Sequence, residues 1–245
     1  MKVLTVVVWM SMVLAFLEGF SSGSTFAQQS SGAVPSAEKL PPDVHPDTLS
    51  RMPRAKREDF TTDEEKQAFD RVIAISPQAS KKNFFEGWLG PSGTRMQIPE
   101  VAEIYLKQGA LIREKSGLEP KYRELAILVA TRECDNKNEF IDHVSREITR
   151  KLLDPQVVEI VRNKQDTKGL EEKEALIIQF GRELFNQPKV SSRTFSEVER
   201  NFGRKTTLGI TLTMGYYVSN ALLMRAYDTQ LFRKNANEKP PSSPW

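Results

Sequence analysis

Cysteine and histidine are nearly missing from this chain. Cys134 is the single cysteine, and the histidines are two, His45 and His143. One thiol cannot close an intrachain disulfide, so stability has to come from a packed core. His45 lies in a proline-rich stretch, which leaves one imidazole for the globular part. One thiol and one imidazole do not build a Cys/His zinc cage, and no metal site is expected. Blocks of like charge are missing too: 35 Lys and Arg are interleaved with 32 Asp and Glu, for a net charge of +3. A nucleic-acid footprint needs a basic patch or stripe, so nucleic acid is not an expected partner. No stretch sustains apolar/polar alternation with period two, which points away from sheet and toward an all-α domain. No apolar run reaches the roughly 20 residues of a membrane span; the longest, Val3–Leu17, stops at Glu18.

That run has the form of an export signal. Lys2 gives a positive start, the apolar stretch follows, and Thr25-Phe26-Ala27 offers a small-x-small cleavage site. Residues 1–27 are therefore expected to be removed, leaving an exported, periplasmic or secreted protein with no stable membrane span. Residues 28–58, rich in Ser, Pro and charge, read as a disordered tether whose last part lies on the domain. Residues 59–232 form one expected domain. The tail, 233–245, with Pro240, Pro241 and Pro244, reads as loose.

Inside the domain the punctuation is helical, and about seven to eight helices are expected. Thr62 and Glu65 make a capping box for the first. Phe84–Met96 carries too many Gly and Pro for a long element, and reads as a wrapped loop or a pocket wall containing Arg95. Pro99, Pro120 and Pro155 suit first helical positions, and Gly117 suits the residue after a helix end. Asp135 or Asn136 is expected to cap a single helix running to Leu152. Leu125–Ala130 and Leu208–Met214 are apolar nearly all round, as buried or interface helices are.

The chemistry concentrates in RELAILVATRECDNKNEFIDH, residues 123–143. On a helix, Glu139 and His143 share a face, and Glu124 can join them only from a neighbouring helix. Imidazole titrates near neutrality, and a carboxylate pair beside it is suited to proton exchange. Arg95 and Arg123 are candidates for holding an anion, and Tyr217 for donating a hydrogen bond into a pocket. Cys134 has no resolving partner, so a redox role for it is disfavoured.

This block, preceded by GPSGTRMQIPEVA and followed by GLEEKEALIIQFGRELF and TMGYYVSNALLMRAYD, resembles the carboxymuconolactone decarboxylase family of the alkylhydroperoxidase D-like superfamily, over roughly Asp59–Leu231. The resemblance implies an all-helical single domain built on a hairpin carrying Glu124, Glu139 and His143 as catalytic residues. It implies a homotrimer or hexamer with pockets near subunit contacts. The hydroperoxidase branch carries a C-x-x-C pair where this chain has Asn136 and Glu139. The decarboxylase branch uses no cofactor and acts on a small carboxylated lactone, so the implied activity is a carboxy-lyase working by proton relay, with Arg95, Arg123 and Tyr217 on the substrate. The competing readings are a thiol-linked antioxidant protein and a non-catalytic exported binding protein.

Overall fold

The computed structural model describes residues 39–75, 89–232 and 242–245. The expected export signal, and Phe84 to Trp88 of the Gly- and Pro-rich stretch, lie outside the described residues.

Among the described residues there are ten α-helices and no strand. They are α1 (Asp63–Ile75), α2 (Gly90–Arg95), α3 (Pro99–Lys115), α4 (Pro120–Glu133), α5 (Lys137–Ser145), α6 (Glu147–Leu152), α7 (Pro155–Arg162), α8 (Glu172–Asn186), α9 (Ser192–Phe202) and α10 (Arg204–Ala226). The all-α expectation holds. Two six-residue helices, α2 and α6, bring the number above the expected seven to eight.

Side chains set the helix starts. The Glu65 amide donates to Thr62 Oγ1 at 3.2 Å, and the Thr62 amide donates to Glu65 Oε2 at 2.9 Å, completing the capping box. Asn136 Oδ1 accepts from the Glu139 amide at the head of α5. Pro99, Pro120 and Pro155 open α3, α4 and α7, where a missing N–H costs nothing.

The helix expected from 136 to 152 is two helices. Arg146 is extended, with φ −65° and ψ 136°, and ends α5 while starting α6. The turn has a reason in packing: it brings Thr149 back so that its hydroxyl donates to Glu124 Oε2 of α4 at 3.0 Å.

Helix α4 is the axis of the core. Leu125, Ala126, Leu128, Val129 and Ala130 are buried, joined by Phe140, Ile177, Ile178, Phe180, Val198, Ile210 and Met214. Close approach of α8 depends on Gly181, where a Cβ would stand 2.4 Å from Val129 Cγ1. A smaller cluster of Ala55, Phe69, Val72, Met96 and Ala102 joins α1 to α3.

The described part of the tether is seated, and so is Trp245 of the tail read as loose. From residue 39 the tether lies on the domain: Val44, Leu49 and Ala55 are buried. The Arg51 amide donates to Tyr227 O, and the Gln230 amide donates to Leu49 O, both at 2.8 Å. Sparse apolar residues suffice here because the chain leaving α10 supplies backbone partners. At the other end, Trp245 packs edge-on against Phe140 with ring centroids 4.9 Å apart.

Candidate active site

Four helices converge on one cavity of about 260 Å³, lined by Gly109, Ile112 and Arg113 of α3, Arg123, Glu124 and Ile127 of α4, His143 and Arg146 at the end of α5, and Thr213, Tyr216 and Tyr217 of α10. The spacings are those of single helix faces. Gly109 makes room for the opposite wall, since a Cβ there would meet Tyr216 Oη at 2.7 Å.

His143 is the centre, with 1 % of its surface exposed. Its Nδ1 lies 2.8 Å from Glu124 Oε2, and its Nε2 lies 3.0 Å from the Tyr217 hydroxyl. A charged carboxylate can only accept, so Nδ1–H donates to Glu124. Nε2 then accepts from the Tyr217 O–H when the ring is neutral, and donates when it is an imidazolium. Glu139 Oε2 stands 3.8 Å from the same Nε2. The helix hairpin thus brings the three expected catalytic residues together, and places Tyr217 on the ring as well.

The two carboxyls are pushed apart. Burial acts to raise Glu124, but hydrogen bonds from His143 and Thr149 and the field of Arg146 outweigh it and hold the group below the ordinary carboxylate value. Burial raises Glu139, and attraction to His143 and Arg146 offsets only part of this. Such a split assigns one carboxylate to charge and the other to carrying a proton. Burial, with Glu139 nearby, raises the Tyr217 phenol far above its usual range, so it remains protonated. Burial and the adjacent Tyr105 push Tyr216 up to about 12.

The cavity wall is cationic. Arg113, Arg123 and Arg146 line it with one carboxylate, Glu124, which His143 and Thr149 already engage. Arg123 Nε is buried without a hydrogen-bond partner and lies 4.0 Å from Glu124 Oε1. The Arg123 side chain also lines the cavity, which places a guanidinium where an anionic group could enter.

Arg95 is elsewhere. It does not line the cavity; its guanidinium donates to Asn220 Oδ1 at 3.0 Å and Ser219 Oγ at 3.2 Å, and stacks on Tyr105 with its carbon 3.5 Å from the ring centroid. Sequence reasoning missed Arg113, Arg146, Thr149 and Asn220. Arg146 follows His143 by three positions and was open to the same helical argument; the others depend on which helices meet.

Glu139, Asp142 and His143 present ligand atoms within 4.8 Å of one another. However, Asp142 is paired with Arg146, and His143 Nε2 is bonded to Tyr217, so the donor set is a poor fit for a cation. Cys134 lies outside the site, beside a separate cavity of about 490 Å³, and burial raises its thiol above the ordinary value.

No family model and no curated protein matches the chain. Solved structures do. One is a protein of unknown function from Agrobacterium tumefaciens, whose suggested role is that of the antioxidant defence protein AhpD. It is 16% identical with a TM-score of 0.50, and the match covers 56% of this chain and 93% of that one. Another is a cysteine-to-alanine variant of the debrominase Bmp8 in complex with 2,3,4-tribromopyrrole. It is 13% identical with a TM-score of 0.51, and the match covers 72% of this chain and 89% of that one. At these identities the likeness is one of fold: the chain has an alkylhydroperoxidase D-like helical fold.

Proposed function

We propose that this protein is a cofactor-free lyase that binds a small carboxylated lactone or related ring acid and moves a proton at His143, with Glu124 charged on one side of the ring and Glu139 and Tyr217 on the other. The observation that carries this reading is the joining, in one cavity, of three guanidinium groups with a buried imidazole held between a charged carboxylate and a neutral phenol. Arg123, on the cavity wall, holds the substrate carboxylate. Glu124 fixes the ring tautomer and stabilises the imidazolium. The cavity suits a substituted ring, since about 150 Å³ is enough for benzene.

The proposal extends to export, on the N-terminal apolar run, and to a trimer or hexamer. Assembly is supported by the exposed Ile98, Val101, Ile104 and Leu111 at α3 and by Leu208, Leu212 and Leu222 on α10. Such apolar faces favour a covering partner.

The test is a panel of carboxylated lactones and keto acids assayed for carbon dioxide release. The wild type should turn over a member of the panel, and His143→Gln should fold and lose that turnover. Equal turnover by the two proteins refutes the reading. Binding of a panel compound with no pH-dependent turnover would move the assignment to a binding protein. Thiol-dependent peroxide consumption abolished by Cys134→Ser would move it to the antioxidant class, against which stand the raised thiol and its distance from the His143 cavity.

A further inference from the structure

We infer that Arg95 and Asn220 are the positioning pair of this site: Arg95 fixes the orientation of the Asn220 amide, and that amide holds the Glu139 carboxyl facing His143. The inference rests on the proton-relay reading and adds two residues that do not line the cavity.

The argument is one of donor and acceptor polarity. A guanidinium has donors and no acceptor. The amide oxygen of Asn220 must therefore face Arg95, 3.0 Å away, and the phenol of Tyr105 approaches the same oxygen at 3.4 Å. The amide nitrogen is then forced to the other side, where it donates to Glu139 Oε1 at 3.2 Å. With Oε1 engaged, Oε2 is left 3.8 Å from His143 Nε2. Arg95 is itself held by three contacts: Ser219, the face of Tyr105, and Asn220. Tyr105 is anchored in turn by donating to the Tyr216 carbonyl at 2.7 Å. Asn220 is 5 % exposed, so water does not easily replace a lost partner.

Glu139 is also faced by Asp142 and His143 on its own helix, by Arg146 at that helix's end, by Arg95 at the end of α2, by Tyr105 of α3 and by Tyr216 and Tyr217 of α10. These groups set its field. The Asn220 amide sets its direction. Without the amide, the carboxyl keeps its burial and loses a donor to its charged form, so its proton is held more tightly.

The experiment follows the Glu139 side-chain carboxyl by 13C NMR across pH, assigned by its disappearance in Glu139→Gln, with thermal melting in parallel. Asn220→Ala and Arg95→Met are expected to raise the pH at which Glu139 loses its proton by on the order of half to one pH unit. They should also lower kcat more than they raise KM for a panel compound. Arg95→Lys, which keeps both a donor and the charge that acts on Glu139 directly, should restore most of both; Asn220→Ala leaves that charge in place and so isolates the amide. Ser219→Ala, which removes one of the three contacts of Arg95 and leaves the amide bridge, should change both readouts less than Arg95→Met does. A folded Asn220→Ala whose Glu139 titrates as in the wild type overturns the inference, even if its melting temperature falls. If Arg95→Met does not fold, Asn220→Ala and Arg95→Lys decide. The NMR result needs no substrate. A shifted Glu139 in a protein that turns over nothing sinks the lyase reading and keeps the clamp; an unshifted Glu139 in an active enzyme does the reverse.

Discussion

Replacing Glu124 with Gln tests the relay at its most constrained point. The substitution keeps shape and one acceptor oxygen, which can still take the His143 Nδ1–H and the Thr149 hydroxyl now found at 2.8 and 3.0 Å. What it removes is charge. Glu124 is 4 % exposed, so its attraction to an imidazolium is only partly screened. Two unit charges about 4 Å apart at an effective dielectric of roughly 20 interact by about 4 kcal/mol. Charged hydrogen bonds are worth roughly 1.5–3 kcal/mol. A loss of about 2–4 kcal/mol from the protonated relay corresponds to a rate decrease of about 30- to 1,000-fold. The assay is kcat and KM for a panel compound over a range of pH, with circular dichroism to confirm the fold. KM should change little, because Arg123 remains. A second readout is stability. Because Glu124 sits below its unfolded value, its carboxylate stabilises the fold above about pH 4.3, and that contribution fades as pH falls through the folded value. The difference between wild type and Glu124→Gln should therefore be widest near neutral pH and shrink in acid. A folded variant that keeps kcat within about threefold at every pH would refute the proton-relay argument, since roughly 2 kcal/mol is the least the lost charge should cost.

Glu139→Gln should behave in the opposite sense. The folded value of Glu139 is raised, so between about pH 4.3 and that value the folded state binds more protons and stability falls as pH rises. The amide abolishes this slope, and the variant should be more stable than the wild type at neutral pH, read by urea melts at several pH values. Arg123→Gln should raise KM about tenfold or more with kcat little altered, because it removes a guanidinium from the cavity wall. Trp245→Ala should lower the melting temperature by about 4–8 °C. It loses the Phe140 contact, the Arg132 guanidinium 4.4 Å from the ring centroid and an indole N–H bond to Asp135, together worth roughly 2 kcal/mol.

Much of the fold is written locally. Capping side chains at Thr62 and Asn136, and prolines at 99, 120 and 155, announce helix starts at the places where the chain uses them. The failures share one cause. The break at Arg146 and the docking of Trp245 are each decided by a partner far away in the chain, Glu124 for the break and Phe140 for the tryptophan, and the extent to which the tether is seated is decided by Tyr227 and Gln230. Proline and serine content suggested looseness because composition carries no information about such partners.

The site divides along the same line. Glu139 and His143 were joined by helical period, a property of five successive residues. Glu124 was singled out by the family resemblance, standing at the start of an otherwise apolar helix. Arg95, an equal candidate with Arg123 in the chain, was parted from the cavity by the packing of α2 on α10, which turned it toward Asn220. Short-range stereochemistry dictates which residues share a helix face, and hydrophobic periodicity dictates that the faces bury. Which buried face meets which, and so whether an arginine ends at a cavity wall or behind it, is settled by the close fit of α4, α8 and α10, whose lowest-energy packing belongs to the whole chain at once.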